Sequence, residues 1–431
     1  MSIRKIDIPL FLCFALFLYP VIIGKIALVC YLVLYGVAFV YLLFNTEIVS
    51  RFLKIPSRQF IVICSIFVML LCSILHPIFM RTYDFSYVNE IMAIFRKCLI
   101  ILSLIVMIIK RENGRPVFET FCFYFCVLQC AYVISTMIFL VISPLKDFWK
   151  VILSEPAFKV NLYDSYGYAA RFGWMGFSGY RSTIDCSLGI VFANYLYSRK
   201  DKLTSISTLL YFTFLFMCFL GNMFYARTGI IASGIVMILG IFAYHNIKPK
   251  YFIIFIFCGI SLVLILLLLR TKIPFIDEWL TWAFKPFYYM ITGQRETGHS
   301  SMNVIKDRML FLPEIATLMH GDGYFTDPIT NLYYGRTDLG FMRQLLFWGV
   351  PGLLLTYGTT FFSILSMKKD IVLNLMLAIC VVIFEFKGDM YYEVLPVFFL
   401  LGICNKSSHI IKKSDYCIRR INTQLNLGFF D

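Results

Sequence analysis

Charged residues are scarce in this sequence, and their scarcity excludes a soluble protein. Of the 431 residues, 15% are Asp, Glu, Lys or Arg, whereas 60% are hydrophobic. So few polar groups cannot cover the apolar surface of a water-soluble fold, and a lipid bilayer must cover it instead. The net charge of +14 does not indicate a nucleic-acid partner, because Lys and Arg lie between long apolar segments and do not gather on one surface.

Motifs for nucleotides, cofactors and metals are also missing. The sequence has no Walker lysine motif and no GxGxxG stretch after a strand, so ATP-driven transport and nucleotide-sugar binding have no support. The 14 Cys form no CxxC pair, and we interpret them as helix-packing residues. His320 and Asp322 lack a second His or carboxylate at a suitable spacing. We therefore expect neither a metal nor a cofactor, and the energy for any reaction must arrive with the substrate.

Long apolar segments dominate what is present. A transmembrane helix needs about 20 apolar residues, because unpaired backbone polar groups are costly in hydrocarbon. No small-residue cleavage site follows the first segment, so it should remain as the first span. The sequence predicts an all-α polytopic membrane protein with about 12 spans, near 8–23, 26–45, 60–80, 91–109, 117–143, 183–198, 206–225, 228–244, 251–269, 339–365, 371–386 and 393–404.

The distribution of Lys and Arg predicts how these spans are oriented. With the N-terminus inside, the inner loops carry clusters such as Arg51, Lys54 and Arg58, whereas short outer connections hold single cations such as Lys25. Both termini are therefore expected in the cytoplasm, and residues 1–431 are expected to form a single polytopic domain. Two long connections, 144–182 and 270–338, then lie on the outer face, where their Gly, Tyr and Trp content predicts folding against the membrane.

Arginines at or inside the predicted spans are the first candidates for function. Arg227 follows a short outer turn, and Arg343 lies about one turn inside the span that starts near Leu339. An intramembrane Arg is costly unless it pairs or snorkels, and snorkelling to the outer interface is the simpler alternative. Guanidinium groups grip phosphate bidentately, which favours convergence of Arg227, Arg343, Arg336 and Arg308 on one phosphate of a pyrophosphate.

Other charges divide between structural and functional interpretations. Glu385 and Lys387 lie at the outer end of one span, where they either pair with each other or serve a site. Charges in the second long connection are either solvated or part of that site. Within this connection the pattern predicts a helix over 301–320, with a kink at Pro313 and a stop at Gly321.

Three local patterns resemble the Wzy-type O-antigen polymerases, which are relatives of the O-antigen ligases. YARTG (Tyr225–Gly229) is similar to the Ser-x-Arg-Thr-Gly stretch that opens a span in that family. RMLFLPEIATLMHGDGYF resembles the helix that ends in Gly-x-Gly late in the second loop, and TDLGFMRQLLFWGVPGLLL resembles the (Ser/Thr)-Asp-x-Gly start of a later span. The order of these patterns and the arrangement of spans and loops extend the resemblance over the whole chain.

This resemblance implies a glycosyltransferase of the GT-C class in the bacterial inner membrane. It would transfer a growing glycan from undecaprenyl pyrophosphate to the non-reducing end of the next lipid-linked repeat unit, at the periplasmic face. Arginines would stabilise the departing pyrophosphate, a carboxylate would act as general base, and a chain-length regulator is left open as a further partner. The implied catalytic residues are Asp338 as base together with Glu385, His320 and Arg308, and the implied pyrophosphate-binding residues are Arg227, Arg336, Arg343 and Arg181.

Two alternatives remain open. An O-antigen ligase would use the same donor, but Thr337 and Asp338 stand where ligases usually have a His-Asn pair, which favours a polymerase. A flippase or other transporter of lipid-linked oligosaccharides also has about 12 spans with both termini inside, yet it should place polar residues at mid-membrane and keep its loops short. The long loops and the ionisable residues at the predicted outer edge favour the polymerase.

Overall fold

The chain is helical throughout most of the part that the structure describes. The computed structural model describes residues 6–52, 57–112, 115–153, 171–177, 179–199, 206–244, 264, 268, 309–367 and 370–404. The helices are α1 Ile8–Leu18, α2 Ala27–Leu43, α3 Thr46–Phe52, α4 Ser57–Phe79, α5 Ser86–Arg111, α6 Val117–Val141, α7 Ser143–Leu153, α8 Gly179–Ser198, α9 Thr208–Tyr225, α10 Arg227–Tyr244, α11 Ile315–His320, α12 Gly340–Ser366, α13 Ile371–Glu385 and α14 Tyr391–Cys404. A two-stranded antiparallel hairpin pairs β1 Phe172–Gly173 with β2 Gly176–Phe177.

Among the described residues, seven helices are long and apolar enough to cross a membrane, so the protein is an α-helical polytopic membrane protein. They are Gly24–Leu43, Arg58–Phe79, Ser86–Arg111, Val117–Val141, Thr208–Tyr225, Arg227–Tyr244 and Gly340–Ser366. Three shorter apolar helices, α1, α13 and α14, coincide with predicted spans, as does the more polar α8. The predicted span 251–269 lies outside the described residues, and the predicted count of about 12 exceeds these seven helices.

The centre of the bundle is formed by α8 with α6, α9, α10 and α13 packed around it. Glycines allow these helices to approach closely, because a Cβ at Gly229 would collide with the side chains of Thr183 and Asn222. Short polar side chains then link the helices, as where Ser187 and Ser233 bring their hydroxyl oxygens to 3.1 Å. By contrast, α2 exposes Leu28 (72%) along one side, as expected of a helix that faces lipid.

Contacts between helix termini define two ends of the bundle. At one end, Arg111 bonds Asp7 at 2.8 Å. At the other end, α4 stops, α5 begins and the Tyr180 hydroxyl donates to the Phe384 carbonyl at 2.5 Å. We call this second end the α4–α5 end, and it is the end predicted to face outward. The first long connection folds onto it, since the Trp174 indole donates to the Tyr19 carbonyl at 3.1 Å.

The second long connection is described from residue 309, and it is tied to the turn between α4 and α5. Asp84 Oδ2 accepts the backbone amides of Phe325 and Thr326 at 2.7 and 2.8 Å, while its Oδ1 accepts the Ser86 hydroxyl. Burial raises the pKa of Asp84, but these hydrogen bonds outweigh burial and hold the pKa below its ordinary value. The loop is therefore anchored by charge-assisted hydrogen bonds.

The helix predicted over 301–320 is interrupted within its described part, and residues 301–308 lie outside the described residues. Residues 310–314 are not helical, and α11 covers only Ile315–His320. Pro313 explains the difference, since it lacks an amide and disfavours helical geometry in the residue before it. The predicted stop is confirmed, because Gly321 follows α11 with φ +74°.

Candidate functional site

Ionisable and aromatic side chains at the α4–α5 end gather around the start of α14. Its first turn carries Tyr391, Tyr392 and Glu393, and the turn before it carries Asp389. Tyr391 donates to the Tyr87 hydroxyl at 2.6 Å, and Glu393 forms an ion pair with Lys97. This short segment therefore contacts α5 through Tyr391 and Glu393, α8 through Glu393 and α12 through Asp389, and two adjoining groups of side chains result.

The first group surrounds a cavity of about 640 Å³. Four ionisable side chains line it, namely Lys97 of α5, Arg181 and Asp185 of α8, and Glu393 of α14. The spacing of Arg181 and Asp185 at i, i+4 places both on one face of α8. Arg181 Nε lies 3.4 Å from Glu393 Oε2 and 3.9 Å from Asp185 Oδ2. Two basic and two acidic side chains thus face one space.

A tyrosine hydroxyl and a backbone carbonyl hold the two charged side chains of α8 in place. The Tyr19 hydroxyl lies 2.7 Å from Asp185 Oδ2, and the Arg181 Nη2 donates to the Leu18 carbonyl at 2.9 Å. The end of α1 therefore holds both charged residues of α8. Arg181 Nε makes no hydrogen bond within the described part of the chain, although it is buried from solvent. A donor of this kind is suited to a ligand oxygen.

The remaining walls of the cavity are mostly apolar and aromatic. The side chains come from α1, α2, α5, α6 and the hairpin, and they include Tyr31, Leu34, Tyr35, Ile100, Ile101, Phe121, Phe125, Met175 and Phe177. The volume falls within the range of roughly 300–1,000 Å³ that is usual for small-ligand pockets, which combine apolar walls with a few polar groups. Tyrosine rings can also stack on the apolar faces of sugars.

The second group surrounds Arg343 in the first turn of α12. Arg343 is only 7% exposed, and its guanidinium carbon lies 3.9 Å from the ring centroids of both Phe325 and Tyr333. One guanidinium nitrogen lies 3.9 Å from Asp389 Oδ2. The same carboxylate oxygen accepts the Gln344 amide at 2.7 Å. Arg343 is thus paired with a buried carboxylate and stacked between two rings. Its side chain is held inside the protein and does not simply snorkel to the interface.

Glu385 and Lys387 do not pair with each other. The Lys387 ammonium donates to Asp338 Oδ2 at 2.9 Å, whereas Glu385 accepts the Tyr357 hydroxyl at 2.6 Å and the Met390 amide at 2.9 Å. Glu385 is buried within the end of α13, and Lys387 follows in an exposed turn, which separates the two side chains. Asp338 therefore already has a cationic partner beside α12.

The other candidates occupy separate positions. Arg336 is exposed in a turn where its own φ is +52°, and His320 is exposed with Nδ1 2.7 Å from the Gly321 carbonyl. Arg227 is half-buried at the first position of α10. Arg308 lies outside the described residues. Arg181 and Arg343 have different partners, and in neither group does Arg336 appear among the described contacts. Among the described contacts, Arg181, Arg343 and Arg336 therefore do not gather into a single cluster.

Several residues of these two groups were missed from the sequence. Lys97, Asp185 and Glu393 all fall inside predicted spans, and a charge inside a span is itself a signal of function. Sequence analysis applied that signal to Arg227, Arg343 and the pair Glu385 and Lys387, and not to these three residues. Asp389 lies in the turn EFKGDMYYE and gave no such signal, because only the fold shows that it is buried against Arg343.

The arrangement can bind a polar ligand, donate hydrogen bonds from Arg181 and Lys97, and accept a proton at Asp185 or Glu393. No cluster of three or more His, Cys, Asp or Glu that could hold a metal occurs among the described residues. Comparison with protein-family models, with curated proteins and with solved structures finds no match to the chain.

Proposed function

We propose that this protein is an O-antigen polymerase of the bacterial inner membrane, with both termini in the cytoplasm, about 12 spans and a GT-C-like fold. The observation that carries the proposal is the cavity at the α4–α5 end, where Lys97, Arg181, Asp185 and Glu393 face an aromatic wall. Such a site offers cations for a pyrophosphate, carboxylates for sugar hydroxyls and rings for sugar faces. The three sequence patterns shared with Wzy-type polymerases support the same assignment.

The cavity residues suit glycosyl transfer between two lipid-linked substrates. A hydroxyl at the non-reducing end of the acceptor attacks the anomeric carbon of the donor glycan, and the bond to undecaprenyl pyrophosphate breaks. The leaving pyrophosphate takes the electron pair, and Arg181 and Lys97 stabilise its growing negative charge. Glu393 or Asp185 accepts the proton of the attacking hydroxyl. This assignment moves the base from Asp338, which is paired with Lys387, to a carboxylate that lines the cavity.

A transporter of lipid-linked oligosaccharides is the second candidate function. Two observations favour it: α12 is broken at Trp348 and Gly349, and Lys97 lies within the span α5. Secondary transporters often build their sites from discontinuous helices. The two functions differ in their products, because a transporter moves the repeat unit unchanged whereas a polymerase lengthens it.

Surface polysaccharide from cells that lack this protein tests the proposal. Removal should collapse the ladder to core plus a single repeat, and the unaltered protein should restore it. Two cavity variants, Arg181→Lys and Glu393→Gln, should each reduce polymerisation by at least ~10²-fold, since an ammonium lacks the bidentate fork and a neutral amide cannot take the proton. Immunoblots of the membrane fraction check that each variant is inserted.

Arg58→Ala is the matched control, because Arg58 is exposed near the start of α4, at the other end of the bundle, and lies outside the cavity lining in the described part of the chain. It should leave the ladder unchanged. A normal ladder from both cavity variants would show that this cavity is not the polymerisation site. Loss of every O-antigen band on removal of the protein would contradict the polymerase and point to a ligase or a flippase.

A further inference from the structure

A break in α12 leaves two backbone carbonyls without helical partners. Pro351 has no amide, so the carbonyl of Phe347 cannot receive its usual bond from four residues ahead. Trp348 and Gly349 have non-helical geometry, and Gly349 adopts φ +70°, which frees the carbonyl of Leu346 as well. Inside a membrane such groups must be satisfied by protein or by a polar cavity.

The segment that follows α11 supplies the missing donors. The amides of Asp322 and Gly323 donate to the carbonyls of Leu346 and Phe347 at 2.7 and 3.0 Å. His76 Nε2 of α4 lies 2.7 Å from the same Phe347 carbonyl. The HGDG sequence therefore completes the hydrogen bonding of the broken helix through its backbone, not through the exposed His320 side chain.

This pairing sets the depth of the segment. A Cβ at Gly349 would meet backbone atoms of Leu318, Met319 and His320 at 2.9 Å, so the end of α11 lies directly against the break. Gly349 is about 13 Å along α12 from Gly340, at a rise of 1.5 Å per residue. Since each leaflet of the hydrocarbon core is roughly 15 Å thick, the end of α11 lies well inside a leaflet if α12 begins at its surface.

The same segment exposes large apolar side chains at that depth. Leu312, Ile315 and Met319 are 87%, 80% and 66% exposed. The neighbouring spans also expose apolar side chains, such as Phe79 of α4 at 78% and Leu354 of α12 at 64%. Residues 315–319 therefore expose large apolar side chains as the spans do, although sequence analysis placed 270–338 outside the membrane.

We propose that residues 315–323, from the start of α11 to Gly323, form a re-entrant element embedded in the outer leaflet, whose apolar side chains contact lipid acyl chains. The occupant is lipid because the element lies against the break in α12, inside the length of a span, and exposes large apolar side chains as the spans do. The amides of Asp322 and Gly323 at the end of the element are satisfied by α12, and those of Leu318 and Gly321 by the carbonyls of Glu314 and Thr317, which keeps these polar groups paired as hydrocarbon requires. The proposal does not depend on the glycosyltransferase assignment.

Tryptophan quenching in nanodiscs tests this proposal with the full-length protein. Met319→Trp and Ile315→Trp place an indole at two positions of the element, and Leu354→Trp places one on the lipid-facing side of α12 as the matched control. The fluorescence of the parental protein is subtracted from that of each variant. Quenching of the remaining fluorescence is measured in lipids brominated along the acyl chain, and separately with aqueous iodide. We expect both element variants to be quenched by brominated lipid to within about twofold of Leu354→Trp and to resist iodide.

Quenching by iodide without quenching by brominated lipid would place the element in water and overturn the proposal. Resistance to both quenchers would mean that protein covers this surface, for instance a second copy of the chain, and would overturn it equally. Comparable size-exclusion profiles for the three variants verify that each protein is folded.

Discussion

The contact between Arg343 and Asp389 yields a prediction whose size can be worked from the structure. Both side chains are buried, at 7% and 3% exposure, and they approach to 3.9 Å. Removing one member of a buried pair leaves an uncompensated charge and costs about 3–5 kcal/mol. Arg343→Met also removes stacking on Phe325 and Tyr333, which is worth up to about 2 kcal/mol per desolvated ring.

The two substitutions should therefore couple. Asp389→Asn alone leaves Arg343 unpaired, and Arg343→Met alone leaves Asp389 unpaired, whereas the double variant leaves no buried charge of this pair. We expect the double variant to be more stable than the sum of the single effects predicts, by about 2 kcal/mol. Arg336→Gln, which changes an exposed arginine, should alter stability by less than about 0.5 kcal/mol.

Unfolding of the purified protein in mixed micelles, followed by circular dichroism as the denaturing detergent fraction increases, measures these free energies. The unfolding curves of the parental protein, the two single variants and the double variant form one thermodynamic cycle. Additivity to within about 0.5 kcal/mol would refute the coupling and show that Arg343 is held by the rings alone.

Two further predictions concern the loop that precedes α12. Asp84→Asn should speed hydrogen exchange at the amides of Phe325 and Thr326, because the charged acceptor of both amides is lost. Hydrogen bonds hold the pKa of Asp84 below its ordinary value, so its stabilising effect should be present above about pH 4 and be lost as the pH falls further. Gly321→Ala should lower the free energy of unfolding by more than about 1 kcal/mol, because its φ is +74° and a Cβ would collide with the Phe347 carbonyl, whereas Gly358→Ala in open space should not lower it.

Much of the helical framework could be predicted from hydropathy. The ends of α5, α6, α9 and α10 fall within five residues of the predicted spans, because each helix is a long apolar run bounded by polar residues. Length was less predictable at α1, where the prediction extended to residue 23 but the helix ends at Leu18. Pro20 follows two residues later and cannot continue a helix, so the apolar run is longer than the helix itself.

The candidate site was less predictable, because hydropathy does not say which way a helix faces. Arg343 was singled out by its position inside a span, but its partner Asp389 lies in a turn 46 residues further along the chain (389 − 343). Glu385 and Lys387 are close in sequence, yet they turn to Tyr357 and Asp338 respectively. Such pairings depend on the tertiary packing of α12, α13 and α14.

The sequence contains a signal for the break in α12 that the prediction of spans did not use. Gly349 and Pro351 in WGVPG remove helical hydrogen bonds within a long apolar run, which often marks a discontinuous membrane helix. What the sequence could not show is that the amides of Asp322 and Gly323 would fill the gap. That knowledge needs the position of α11 beside α12.

Reconstitution of the purified protein tests the proposed polymerase most directly. Lipid-linked repeat units extracted from cells that lack the protein are placed with it in liposomes, and the lipid-linked products are resolved by size. The account predicts products of two, three and more repeats, with one undecaprenyl pyrophosphate released for each new linkage, and loss of these products in Glu393→Gln. Repeat units that cross the bilayer without being joined, or that are joined only to lipid A core, would contradict it.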